Sequence, residues 1–133
     1  MSYKTNKKLI KKYILDIGTF FFYENFIISE INEGISMNFD KATKLFSIGK
    51  KHYGNHIPFV YISNRINSYS FEPTSHFKSV ELFSNLKGFA VVTYDPINSK
   101  IAGLEQAFIN VPTKLFDNVD DAINWVNELI IPD

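Results

Sequence analysis

Cysteine is absent from the chain, which excludes disulfide scaffolds, thiolate metal sites and cysteine nucleophiles and is compatible with a reducing compartment. Glycine is scarce, at 6 of 133 residues, and no Gly-x-Gly-x-x-Gly or Walker-type phosphate cradle is present. Nor is there the clean apolar run of about 20 residues that a membrane-spanning helix requires. The longest candidate, residues 14–31, is interrupted by Asp16, Gly18, Glu24, Asn25 and Glu30, and it lacks the small-residue cleavage site of a signal peptide. The sequence therefore reads as that of a cytoplasmic protein with no transmembrane segment. An excess of either charge is missing too: 14 Lys and Arg balance 14 Asp and Glu, so the total points to no nucleic-acid partner.

What is present is apolar and aromatic. The hydrophobic fraction is 45% and the aromatic fraction 16%, with 13 Phe and 7 Tyr, enough to offset the entropy of ordering one domain and too little chain for two. Residues 1–12 are polar and carry Lys4, Lys7, Lys8, Lys11 and Lys12. They read as a flexible N-terminal tail whose lysines are solvated, with contact to nucleic acid or anionic lipid as the sharper alternative. Residues 13–133 read as a single domain.

Within that domain, residues 13–23 and 26–31 suit two antiparallel strands reversed at Glu24 and Asn25, with Gly18 at a bulge or bend. Asn38 or Asp40 is placed to cap a helix reaching Tyr53, whose apolar stripe is Ala42, Leu45, Phe46, Gly49 and Tyr53, and Gly54 supplies its left-handed stop. Residues 57–62 are apolar without alternation, as in a strand covered on both faces. A weaker helix is expected over 74–86, on Phe77, Val80, Phe83 and Leu86, with Gly88 as terminator; residues 89–94 form the next strand. Asp95 and Pro96 open a third helix with Ile97, Ile101, Leu104 and Phe108 as its stripe. Residues 113–116 read as an edge strand, and Asp117 or Asn118 caps a last helix over 119–130. The order β-β-α-β-α-β-α-β-α predicts an α/β fold with a mixed, mostly parallel sheet of about five strands and about four helices. A ferredoxin-like arrangement, with two helices, leaves part of this pattern unexplained.

That order, with the ending Pro112, Thr113, Lys114, Leu115, Phe116, Asp117 followed by Asp121, Ala122 and Trp125, resembles the STAS-like domains typified by bacterial anti-sigma factor antagonists, and among them the small stand-alone bacterial members. The resemblance implies a regulatory, protein-binding module. In the signalling members a serine at the start of the helix after the central strand is phosphorylated by a kinase that is also the partner. Here that neighbourhood holds Ser68, Ser70, Thr74 and Ser75 as hydroxyls for phosphorylation, without the Asp-Ser-Ser-Gly signature.

The polar segment leaving the expected central strand is the candidate binding site. Arg65 offers a planar fork for a carboxylate or phosphate, and Asn64, Asn67, Ser68 and Tyr69 add neutral groups; a loop that satisfies its own backbone is the plainer explanation. His52, His56 and His76 are not expected to hold metal, because Gly54 breaks the single helical face that His52 and His56 would need. No Gly-x-Ser-x-Gly elbow or glycine-rich oxyanion loop is present, so neither catalysis nor a cofactor is expected. Phe20, Phe21, Phe22, Tyr23 and Phe26 are core, or else a lipid or partner surface. The function expected is non-catalytic protein interaction or regulation, with homodimerisation one form of it; the alternative is binding or carriage of a small apolar or anionic ligand.

Overall fold

Phe20, Phe21, Phe22 and Tyr23 are consecutive, and consecutive side chains of a strand leave on opposite faces, so this segment demands cover on both sides. The computed structural model, which describes residues 7–67, 69–71, 82–95 and 111–130, supplies that cover. In chain order its elements are β1 (Leu9–Leu15), β2 (Gly18–Tyr23), β3 (Phe26–Ile31), β4 (Ser36–Met37), α1 (Thr43–Tyr53), β5 (Phe59–Asn64), β6 (Ser70–Phe71), β7 (Leu86–Val92), β8 (Thr113–Phe116) and α2 (Val119–Leu129). Six strands form the main sheet in the order β1-β2-β3-β5-β7-β8, and β4 pairs with β6 in a small parallel ladder. The pairs β1–β2 and β2–β3 are antiparallel, while β3–β5, β5–β7 and β7–β8 are parallel.

Each face of the sheet has its own core. Phe20, Phe22, Ile27, Ile31 and Phe59 pack with Leu45 and Tyr53 of α1. Phe21, Tyr23, Phe26, Ile28, Val60, Ile62, Ala90 and Val92 pack with Val119, Ala122, Ile123 and Val126 of α2. The two sets alternate residue by residue along β2, β3 and β5, which is why these strands read as continuous apolar runs. The parallel neighbours β5 and β7 run Val60 beside Gly88 through Asn64 beside Val92.

Several expectations are corrected. The sheet has six strands rather than five, because β1 begins at Leu9, inside the segment read as a tail. Its lysines masked it: Leu9 packs against the second core and Tyr13 and Leu15 against the first, while Lys11 and Lys12 lie over the rings of Tyr13 and Phe21 at 5.0 and 5.6 Å from the centroids. An edge strand needs only this partial cover. The long first strand is accordingly two strands, reversed at Asp16 and Ile17. Gly18 begins the second of them because a Cβ there would collide with the Glu30 carbonyl and come within 2.8 Å of the Ile31 Cα. Neither Asn38 nor Asp40 caps α1: the Asn38 side chain accepts from the Lys41 N–H at 2.9 Å in the preceding turn, and the helix starts after Ala42 without a side-chain cap. At the other end Gly54, at φ 55°, stops the helix as expected.

Two helices stand among the described residues where four were expected. The one expected from Pro96 lies outside the described residues, as does the one expected from Thr74 up to residue 81. At the end of that second segment residues 83–85 are not helical, Leu86 opens β7, and Gly88 sits inside the strand rather than ending a helix. Gly88 is needed there for proximity: a Cβ would come within 2.5 Å of Leu129 and 3.2 Å of Trp125 on α2. The strand β8 and the helix α2 stand where the sequence places them, and of the two candidate caps it is Asn118 that accepts from the Asp121 N–H, at 2.8 Å.

Candidate functional site

Parallel strands end side by side, so the carboxyl ends of β3, β5 and β7 bring together residues far apart in sequence. Ser29 lies beside Ser63 and Ser63 beside Val91. The strand order advances from β3 to β8 without reversing, so the crevice that a reversal opens in doubly wound sheets is not made by these strands. What forms instead is a polar end with a different cluster on each face.

On the α1 face the centre is Ser63, which is buried. Arg65 continues the ladder, donating its N–H to the Val92 carbonyl at 2.9 Å, and its Nε donates to Ser63 Oγ at 3.1 Å. The Tyr69 hydroxyl meets the same oxygen at 3.1 Å, and the guanidinium lies over the Tyr69 ring at 5.6 Å from its centroid. Arg65 is thus turned inward, only 8% exposed, rather than held out as a fork to solvent. Its cationic head is a fixed part of the sheet end, held by a hydroxyl and an aromatic face. Asn67 fastens the loop by donating to the Ile31 carbonyl at 3.1 Å.

On the α2 face Asn64 is buried and accepts from the Tyr94 hydroxyl at 2.6 Å. Glu30, half-buried at the end of β3, shares Asn64 as a hydrogen-bond partner; burial pushes its carboxyl above the ordinary carboxylate range, against the lowering effect of that bond. Burial also raises the Tyr94 phenol, and the neighbouring Glu30 charge adds to the rise. At this end of the sheet Ile66, which follows Arg65, is 51% exposed and Tyr94 is 53% exposed.

Of the residues singled out in the sequence, Asn64, Arg65, Asn67 and Tyr69 do come together here, whereas Ser68, Thr74, Ser75 and His76 lie outside the described residues. Ser70 is exposed on β6, its Oγ donating to Ser36 Oγ at 3.1 Å across the β4–β6 ladder. His52 sits elsewhere, on α1 against Phe22, with its Nε2 at 2.8 Å from the Tyr13 hydroxyl. Among the described residues no group of three or more His, Asp or Glu side chains is placed to hold a metal ion, and no helix is long and apolar enough to cross a membrane. Glu30, Ser63 and Tyr94 were missed, since their membership depends on the parallel register of three strands. The one sequence signal was their position at the polar ends of apolar runs. The aromatic segment is core: Phe20, Phe21, Phe22, Tyr23 and Phe26 are each at most 3% exposed.

Comparison of the chain with protein-family models, with curated proteins and with solved structures returns no match.

Proposed function

We propose that the chain is a non-catalytic interaction or regulatory module of STAS-like type, docking a protein partner, or a second copy of itself, on the sheet end around residues 64–69. The observation that carries this reading is that one end of the sheet holds both exposed Ile66 and Tyr94 and polar groups tied down among Ser63, Arg65, Tyr69 and Asn64. A rigid end of this kind adds apolar contact area without a large ordering cost on binding, which is what a docking surface needs. The ligand-carrier alternative drew on the aromatic hairpin, whose rings are occupied within the two cores. The regulatory part of the reading places a modification point at the exposed Ser70 hydroxyl, where a phosphate would replace the bond to Ser36 with a charged group at the start of the small ladder.

The test is affinity capture from the native cell extract with the wild-type chain and with an Ile66→Glu, Tyr94→Ser double variant, alongside light scattering of both. The expected result is a defined prey, or a dimer, that is lost at least about tenfold in the double variant while its circular dichroism is unchanged. A wild-type chain that stays monomeric and retains nothing sinks the proposal.

A further inference from the structure

β1 is the terminal strand of the six, with no strand on its far side among the described residues. A terminal strand presents a row of backbone N–H and C=O groups to whatever lies alongside. Ile10 is the odd residue at the register shift between Leu9 and Lys11, so the regular template runs from Lys11 to Leu15. This stretch is held in place from behind: Tyr13 packs edge-on against Phe22 at 5.3 Å and bonds to His52.

Charge on this edge is one-sided although the whole chain is neutral. Residues 7–15 contain Lys7, Lys8, Lys11 and Lys12 and no Asp or Glu. Register puts Lys11 on the face of Phe22 and Lys12 on the face of Phe21, so ammonium groups stand above and below the edge. Ile14, 76% exposed, is the most exposed of the large apolar side chains described. Lysines on an edge strand repel basic strands, and they disfavour parallel in-register pairing of two copies of this edge, where Lys11 and Lys12 would meet their own counterparts. They do not repel an acidic one.

We propose that the β1 edge accepts an extended acidic segment of another protein as a seventh strand, alternating carboxylates with β-branched apolar residues, paired along residues 11–15. Backbone hydrogen bonds supply the adhesion; on the face of Phe22 Lys11 meets the carboxylates, on the face of Phe21 Ile14 meets the apolar residues, and Lys12 adds to the positive field that favours an acidic partner. A bilayer would meet the lysines but leave the edge backbone unpaired, which favours a strand over an anionic lipid surface. The surface is separate from the end around residues 64–69 and stands without it.

The experiment uses the full chain and a fluorescein-labelled peptide of about six residues, a typical strand length, alternating glutamate and valine, with glutamine–valine and lysine–valine peptides as controls. Anisotropy is expected to rank glutamate over glutamine over lysine, by at least about fivefold at each step, with the preference shrinking in high salt and reversing in a Lys11→Glu, Lys12→Glu variant. Amide hydrogen exchange should slow within residues 11–15 when the glutamate peptide binds. Equal binding of all three peptides, no binding at millimolar peptide, slowing confined to another segment, dimerisation through β1, or displacement of the peptide by phosphatidylserine vesicles each overturns the proposal. An Ile66→Glu, Tyr94→Ser chain should bind the peptide as the wild type does, which separates this test from that of the sheet end.

Discussion

Two buried tyrosines with opposite hydrogen-bonding fates show what single residues contribute. The Tyr53 hydroxyl donates to the carbonyls of Tyr23 and Phe26, at 2.6 and 3.0 Å, and so ties the end of α1 to the turn between β2 and β3. Burial pushes its phenol far above the ordinary range. The Tyr23 hydroxyl is buried with no partner among the described residues. Tyr53→Phe is therefore expected to cost about 1–3 kcal/mol, leaving carbonyls unsatisfied, while Tyr23→Phe should be neutral or stabilise by about 1 kcal/mol. Urea denaturation of the two variants checks the contrast; equal and opposite signs to these would show the assignments to be reversed. Asn85 belongs to the same account: its Nδ2 donates to the carbonyls of Tyr53, Gly54 and Ile57, the shortest at 2.8 Å, so one buried amide closes the end of α1. No periodicity marks such a residue in sequence, because its role is set by three carbonyls about thirty positions away.

The elements differ in how closely they approach one another, and two glycines record it. At Gly18 the obstacle to a side chain is the backbone of β3, which has no room to move; at Gly88 it is the ends of Leu129 and Trp125, which can turn. Gly18→Ala is expected to destabilise by about 3 kcal/mol and to loosen the β2–β3 pairing, whereas Gly88→Ala should cost about 1 kcal/mol as α2 shifts on the sheet. Thermal melts rank the pair, and a Gly88 variant less stable than the Gly18 variant would refute the ordering. Elements were legible in the sequence where their whole pattern was local. The helix α2 has its cap at Asn118, acids at Asp120 and Asp121 and an apolar stripe within eleven residues. The strand β1 was legible only from Tyr13 onward, since the apolar residues before it are sparse and its lysines signal solvent unless the neighbouring β2 is known.

Across the whole molecule, two titrating groups with opposite behaviour shape the dependence of stability on pH. Burial, with Lys51 and Lys11 adding to it, holds the His52 imidazole below its ordinary range. The unfolded chain then takes up this proton first as pH falls, so the contribution of neutral His52 is complete above the ordinary imidazole range and lost as pH falls through it. Glu30 is raised, so the folded chain holds that proton longer. Its contribution is complete below the ordinary carboxylate range and is lost as pH rises from there to the raised value. Unfolding measured from pH 4 to 8 should show less acid sensitivity near the imidazole range in His52→Phe, and a smaller loss on raising pH above the carboxylate range in Glu30→Gln. An unchanged profile in either variant contradicts the corresponding assignment.

Legible in the residues alone were an α/β sheet with covered faces, the place of the β2–β3 reversal, the end of α1, the helix α2, and two neighbouring interior strands, whose bounds are Phe59–Asn64 and Leu86–Val92 rather than 57–62 and 89–94. Those features follow from side-chain periodicity and backbone preference, which act over a few residues. Long-range pairing alone puts Lys11 and Lys12 on a strand, turns Arg65 inward to Ser63 and Tyr69, and gathers Glu30, Asn64 and Tyr94 at one end of the sheet. Each of these depends on which strands lie side by side and in what register, and contacts of that range leave no local pattern from which they can be read.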